Sequence, residues 1–269
     1  MAHHHKAYED LQFLHSADAR MLRILAEYLE PLRRFRRYKI RDTIVFFGSS
    51  RILSAEQAAK RLEEARSKRS VQRAASPELK ARLREAETQV QLSRYYEEAV
   101  ELSRLLTQWA MKLEGPSERL VVCTGAGAGI MEAANKGAAL AGGKTIGLNI
   151  SMPAQQPTNQ YVTHDLDFQF HYFFMRKLWF VYLARALIVF PGGFGTVDEL
   201  MEILTLVQTR KLRKHVHVVL YGSDYWDEVI DFDAMLRYGT IDECDLDLFH
   251  RADTPKAAFN HLRRKLSGG

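Results

Sequence analysis

Residues 186–204, ALIVFPGGFGTVDELMEIL, carry a strand, a turn and the start of a helix in one run. Ala186 to Phe190 is a short unbroken apolar segment, the pattern of a strand buried on both faces. Pro191-Gly192-Gly193-Phe194-Gly195 interrupts it, and a helix is expected over about 196–209. Working outward, the same alternation recurs. Strands are expected near 119–123, 145–149 and 216–221, and helices near 129–141, 171–184 and 255–266. Thr43 to Phe47 (TIVFF) reads as a further buried strand, closed by Gly48-Ser49-Ser50. This order predicts an α/β fold, a parallel sheet with helices on both faces.

The remainder reads as helical additions. Residues 1–15 look like a poorly tied terminus. After Ser16, apolar residues from Met21 to Leu32 recur at helical spacing, and Pro31 is expected to kink or end that helix. Ser54-Ala-Glu-Gln57 has the form of a capping box, and Ser76-Pro77 restarts a helix with a cap and an N1 proline. The expected organisation is an N-terminal helical extension, 1–42, and one domain, 43–269, with a helical hairpin inserted at 54–115. Since the hairpin carries no glycine loop and no candidate catalytic group, it is expected to be dispensable for chemistry.

Composition narrows the class. The 269 residues are 46% hydrophobic and 26% charged, as in an ordinary globular protein. A formal charge of +5 permits a small anionic substrate but is mild for a nucleic-acid binder. Arg33, Arg34, Arg36, Arg37, Lys39 and Arg41 form a charge run that usually marks a solvated face. Cys123 and Cys244 are far apart, with no CxxC, which fits a reducing cytoplasm and argues against a cysteine metal site. No signal peptide is visible, and the apolar stretch 178–190, broken by Arg185, is too short to span a bilayer. His3, His4 and His5 are given no metal role.

Two glycine clusters each follow a strand and open a helix: Gly125-Ala-Gly127-Ala-Gly129 and Gly192-Gly193-Phe-Gly195-Thr196. Glycine permits close backbone approach, and a helix start offers unpaired N–H groups to an anion such as phosphate. Either cluster alone could be an unliganded tight turn; the pair favours a crevice for a phosphorylated ligand. NAD fits less well, because the first cluster is GxGxG and the following strand ends in Asn149 without an acid. The second cluster lacks a P-loop lysine, and neither contains GxSxG.

Glu199 admits two readings. As T-x-x-E with Thr196 it could close a capping box, the commoner use of that spacing. Alternatively, its carboxylate could stabilise positive charge on a ribose or activate a water. Glu202, one turn on, is a secondary candidate. Arg176, in an aromatic helix beside Lys177, is either snorkelling or directed at phosphate or ribose oxygens.

Met175-Arg176-Lys177 followed by PGGFGTVDE (191–199) resembles the paired signature of the LONELY GUY family, whose second motif is PGGxGTxxE. Supporting matches run from Phe47-Gly-Ser-Ser-Arg51 through 125–132 to 219–226. Members are cytokinin riboside 5′-monophosphate phosphoribohydrolases and related nucleotide nucleosidases, often labelled lysine decarboxylases. The resemblance implies a Rossmann-like fold, a homodimer, and neither metal nor organic cofactor. It implies that Gly192, Gly193, Gly195 and Thr196 hold a phosphate, that Arg176 contacts the substrate and that Glu199 is catalytic. Gly48, Ser49, Gly125, Gly127, Gly129 and Lys177 complete the candidate substrate-binding set. The N-terminal helix and the 54–115 segment depart from short members, which leaves cytokinin and general AMP- or GMP-type substrates both open. No motif marks a lysine for pyridoxal phosphate. A rival on a similar fold is a non-catalytic carrier of a phosphorylated pterin such as molybdenum cofactor.

Overall fold

The computed structural model describes residues 6–71, 76–113, 115, 119–152, 157–212 and 214–267. Its strands are β1 (Thr43–Phe47), β2 (Val121–Thr124), β3 (Thr145–Ile150), β4 (Asp167–Phe170), β5 (Ala184–Val189), β6 (His217–Tyr221) and β7 (Phe249–Ala252). The helices are α1 (Leu11–His15), α2 (Arg20–Arg37), α3 (Ala55–Val71), α4 (Pro77–Ala110), α5 (Ile130–Leu140), α6 (Phe173–Tyr182), α7 (Phe194–Gln208), α8 (Ser223–Val229), α9 (Phe232–Arg237) and α10 (Pro255–Leu266). All strand pairs are parallel, in the order β4-β3-β2-β1-β5-β6-β7. The fold is thus Rossmann-like α/β. From β1 the chain steps outward through β2, β3 and β4, then returns to place β5 on the other side of β1. That reversal opens a crevice beyond the carboxyl ends of β1 and β5, where such sheets bind ligands.

Alternate residues of the central strands feed two cores. Val45, Phe47, Leu187 and Val189 pack under α2, α6 and α7; Ile44, Phe46, Ala186 and Ile188 pack under α4, α5 and α10. Burial on both faces explains why these strands read as unbroken apolar runs. The strands missed from sequence, β4 and β7, are the two edges and have four residues each. An edge strand offers too short and too mixed a pattern to register.

Three helical expectations change. Pro31 lies inside α2, which continues to Arg37. The helix carries Phe35 into the core, 4.9 Å from the Phe168 ring centre and 5.2 Å from that of Trp179. This packing offsets the hydrogen bond that proline forfeits. Within 6–15, α1 is capped by Asp10, and Arg23 donates to the carbonyls of Leu14 and Ser16, so that stretch is tied down. His3, His4 and His5 lie outside the described residues.

The third change concerns 54–115. Ser54 and Gln57 do form reciprocal capping bonds (3.2 and 3.3 Å), and Ser76 caps α4. Yet α4 is the crossover between β1 and β2, and its second half buries Tyr95, Tyr96, Ala99, Leu102 and Leu106 against the sheet. Removing the whole segment would take away one of the three helices that cover this side of the sheet. Only α3 and the first half of α4 are peripheral additions; the second half of α4 is part of the core that covers the sheet.

Candidate active site

Three loops leave the carboxyl ends of β1, β2 and β5 and are stitched together at Ser49. Its N–H donates to Pro191 O (2.9 Å), and its carbonyl accepts from Ile130 N (3.1 Å). The loops line a cleft of about 810 Å³ whose walls include Gly48, Ser49, Gly125, Arg176, Thr196 and Glu199. Gly192, Gly193 and Gly195 also line it.

At the start of α7 the N-cap is Gly193, with no side-chain cap. The helix's first N–H groups have no acceptor within it and, with the dipole, favour an anion. A methyl group added at Gly193 or Gly195 would meet nothing within 4 Å, so both face open space. Gly192 instead packs tightly, because its added methyl would lie 2.1 Å from Thr196 Oγ1. Tyr225 Oη donates to Gly192 O (2.8 Å) and fixes the loop.

Since α7 begins at Phe194, Thr196 is its third residue rather than its cap, and Glu199 lies inside the helix. The capping box therefore does not form. Glu199 is 5% exposed. Burial raises its carboxyl above the ordinary glutamate range; Lys177 and Arg176 oppose the shift, while Glu202 and Asp198 add to it. A carboxylate kept partly desolvated beside a cleft is suited to charge stabilisation or general-base work.

Arg176 reaches the cleft wall from α6. Its guanidinium lies near the rings of Phe173 (5.0 Å) and Phe180 (5.6 Å), its Nε is buried without a partner, and it makes no ion pair among the described residues. Burial lowers its pKa, with Glu199 and Asp198 acting in the opposite direction. A half-buried arginine fork without an ion-pair partner is matched to an anionic ligand.

Three candidate residues fall elsewhere. Lys177 does not line the cleft; its Nζ lies 2.7 Å from both Asp198 and Glu202 and 3.5 Å from Glu199. Burial alone would lower the ammonium pKa, but the bonds to Asp198 and Glu202 hold it above the ordinary lysine value. Lys177 thus anchors carboxylates instead of touching a ligand. Gly129 has φ +67°, and a methyl group there would lie 2.3 Å from Ser49 O, so it serves the loop junction. Gly127 offers its carbonyl to Asn159 Nδ2 (3.0 Å) in a polar network with Asn135 and Thr124.

The sequence reading missed Arg51, Met131 and Tyr225 as lining residues. Arg51 is exposed and has no ion pair among the described residues; a cation three residues past Gly48 was the available signal. Among the described residues no group of three His, Cys, Asp or Glu is placed to hold a metal ion, and no helix is long and apolar enough to cross a membrane.

The family model described as "Possible lysine decarboxylase" matches residues 131–262, a span that holds Arg176, Lys177 and Glu199. The pyrimidine/purine nucleotide 5′-monophosphate nucleosidase of Escherichia coli (strain K12) is 34% identical over 131 residues. That match covers 42% of this chain and 27% of the relative, so the chain spans about a quarter of the curated relatives it matches. Among solved structures, the X-ray structure of TM1055 aligns with TM-score 0.49 at 17% identity, over 83% of this chain and 99% of that one. The molybdenum cofactor carrier protein of Chlamydomonas reinhardtii aligns with TM-score 0.47 at 17% identity, over 85% and 100%.

Proposed function

As a chain that belongs to the LONELY GUY family, this protein, we propose, is a hydrolase that cleaves the N-glycosidic bond of nucleoside 5′-monophosphates. The products would be free base and ribose 5-phosphate. The observation that carries the reading is the pairing of a buried carboxylate, Glu199, with a half-buried arginine, Arg176, in the wall of a cleft that also contains the uncapped start of α7. Glu199 has no capping duty, and Arg176 has no partner of its own.

The 5′-phosphate would sit on the α7 amides at Gly193–Gly195, with Arg176 directed to phosphate or ribose oxygens. Binding through the phosphate orients the ribose remote from the reacting carbon. As the base departs, C1′ gains oxocarbenium character, which the Glu199 carboxylate stabilises or quenches by activating a water. The substrate class is AMP-like or cytokinin riboside monophosphate, and the setting is cytoplasmic. A second copy of the chain would cover the exposed Phe174, Leu178 and Tyr182 of α6, giving a homodimer.

Free-base release measured from AMP and from adenosine tests the reading. AMP should be cleaved far faster, with ribose 5-phosphate as co-product. Equal rates would remove the phosphate cradle. Retention of a phosphorylated pterin with no base released from any nucleotide would favour a carrier instead.

A further inference from the structure

Helix α2 lies outside the span matched by the family model, yet it holds the start of the helix that carries Arg176. The Glu27 carboxylate accepts two backbone bonds there, from His171 N to Oε1 (2.7 Å) and from Tyr172 N to Oε2 (3.2 Å). Tyr172 is the N-cap of α6 and supplies no side-chain cap of its own. Glu27 therefore holds, from another helix, the two amides that lead into α6, and places negative charge near the positive end of its dipole. Trp179 Nε1 donates to Glu27 O (2.9 Å), and the Arg20 guanidinium lies 5.8 Å from the Tyr172 ring centre.

The connection to the cleft runs through one residue. The carbonyl of Tyr172 accepts from Arg176 N (3.2 Å) and Met175 N (3.1 Å), while its N–H is held by Glu27. Arg176 has no ion pair among the described residues and a buried Nε without a partner. Its aim is thus set by the backbone of the first turn of α6 and by the two flanking phenylalanine rings.

We infer that Glu27 is a positioning residue: by fixing the first turn of α6 it sets where the Arg176 guanidinium enters the cleft. The inference rests on the reading that Arg176 contacts the substrate anion. It makes the N-terminal helix part of the site's machinery.

A double-mutant cycle tests it, with ribose 5-phosphate binding followed by calorimetry in wild type, Glu27→Ala, Arg176→Ala and the double variant. Glu27→Ala should weaken binding about 10-fold, and it should add nothing once Arg176 is removed, because the two losses are one loss. Multiplying losses, or unchanged binding in Glu27→Ala, would overturn the inference. Trp179→Phe controls for general loosening. It breaks the same α2–α6 seam away from the first turn, so it should lower Tm and keep binding; a loss equal to that of Glu27→Ala would also overturn the inference. A ligand-free readout separates this from the hydrolase reading. The Arg176 Nε–H resonance, assigned by its absence in Arg176→Ala, should lose exchange protection in Glu27→Ala. An unaltered resonance sinks the positioning role, whereas absent base release from AMP sinks only the hydrolase reading.

Discussion

The two glycine loops look alike in sequence and differ in what their glycines face. In the loop after β2, methyl groups at Gly125 and Gly129 would strike Met131 Sδ at 2.9 Å and Ser49 O at 2.3 Å, and the Gly127 carbonyl is claimed by Asn159. Gly127 and Gly129 thus serve contacts of protein with protein, while Gly125 meets only the flexible end of Met131 and lines the cleft beside it. In the loop after β5, Gly193 and Gly195 meet nothing within 4 Å. They leave the start of α7 open to something that is not protein. A glycine cluster at a helix start therefore has two distinct uses, and only the neighbouring backbone tells them apart.

The comparison stakes most on Glu199, whose helix opens from the second loop. Glu199→Gln should lower kcat on AMP by roughly 10²–10⁴-fold while KM changes little, because the phosphate cradle and Arg176 remain. Its stability should rise, not fall. A carboxyl raised by burial contributes stability below its unfolded pKa and loses it as pH rises through the folded value, so the variant's Tm advantage should grow with pH. Near wild-type turnover in a folded Glu199→Gln protein would refute the catalytic role.

Gly129→Ala should break the first loop. Positive φ and the clash with Ser49 O together should cost about 3 kcal/mol or more, a fall in Tm of roughly 6–12 °C for a domain of this size. Thermal melting that matches wild type would show that this glycine is not a packing residue.

Gly193→Ala sharpens the contrast from the other side. With open space around the position, Tm should hold within about 1 °C, while KM for AMP rises about 10-fold as the methyl group crowds the phosphate. A variant with lowered Tm and unchanged KM would reverse the assignment of the two loops.

The smallest effect is in pH. Because burial, with help from Glu202 and Asp198, holds Glu199 above the ordinary glutamate range, the acid limb of kcat/KM should lie above that range too. Lys177→Met removes an opposing cation and should move that limb further up in pH. A limb that stays in place would show that Lys177 does not act on Glu199.

Much of this was legible without coordinates. The apolar runs of β1, β2, β3, β5 and β6 announce themselves because both faces of a central strand are buried. The edge strands do not, since Asp167–Phe170 and Phe249–Ala252 are short and mixed in polarity. Arg176, Glu199 and the second glycine loop were readable as candidates because their residue types and spacing are chemically specific. The two readings of Glu199 were not separable from spacing, which is the same for a cap and for an interior position.

Sequence by itself determined the layered α/β class, the positions of both glycine loops and the presence of a carboxylate and an arginine near the second. These follow from local periodicity and residue chemistry, which are properties of neighbours along the chain. Tertiary structure decided that α7 starts at Phe194, so that Glu199 is buried rather than capping. It decided that Lys177 binds three carboxylates, that α4 is a sheet-covering crossover, and that Glu27 reaches across to the start of α6. Each of these depends on contacts between residues remote in sequence. No local pattern encodes them, because the partner atoms come together only when the sheet has ordered its strands.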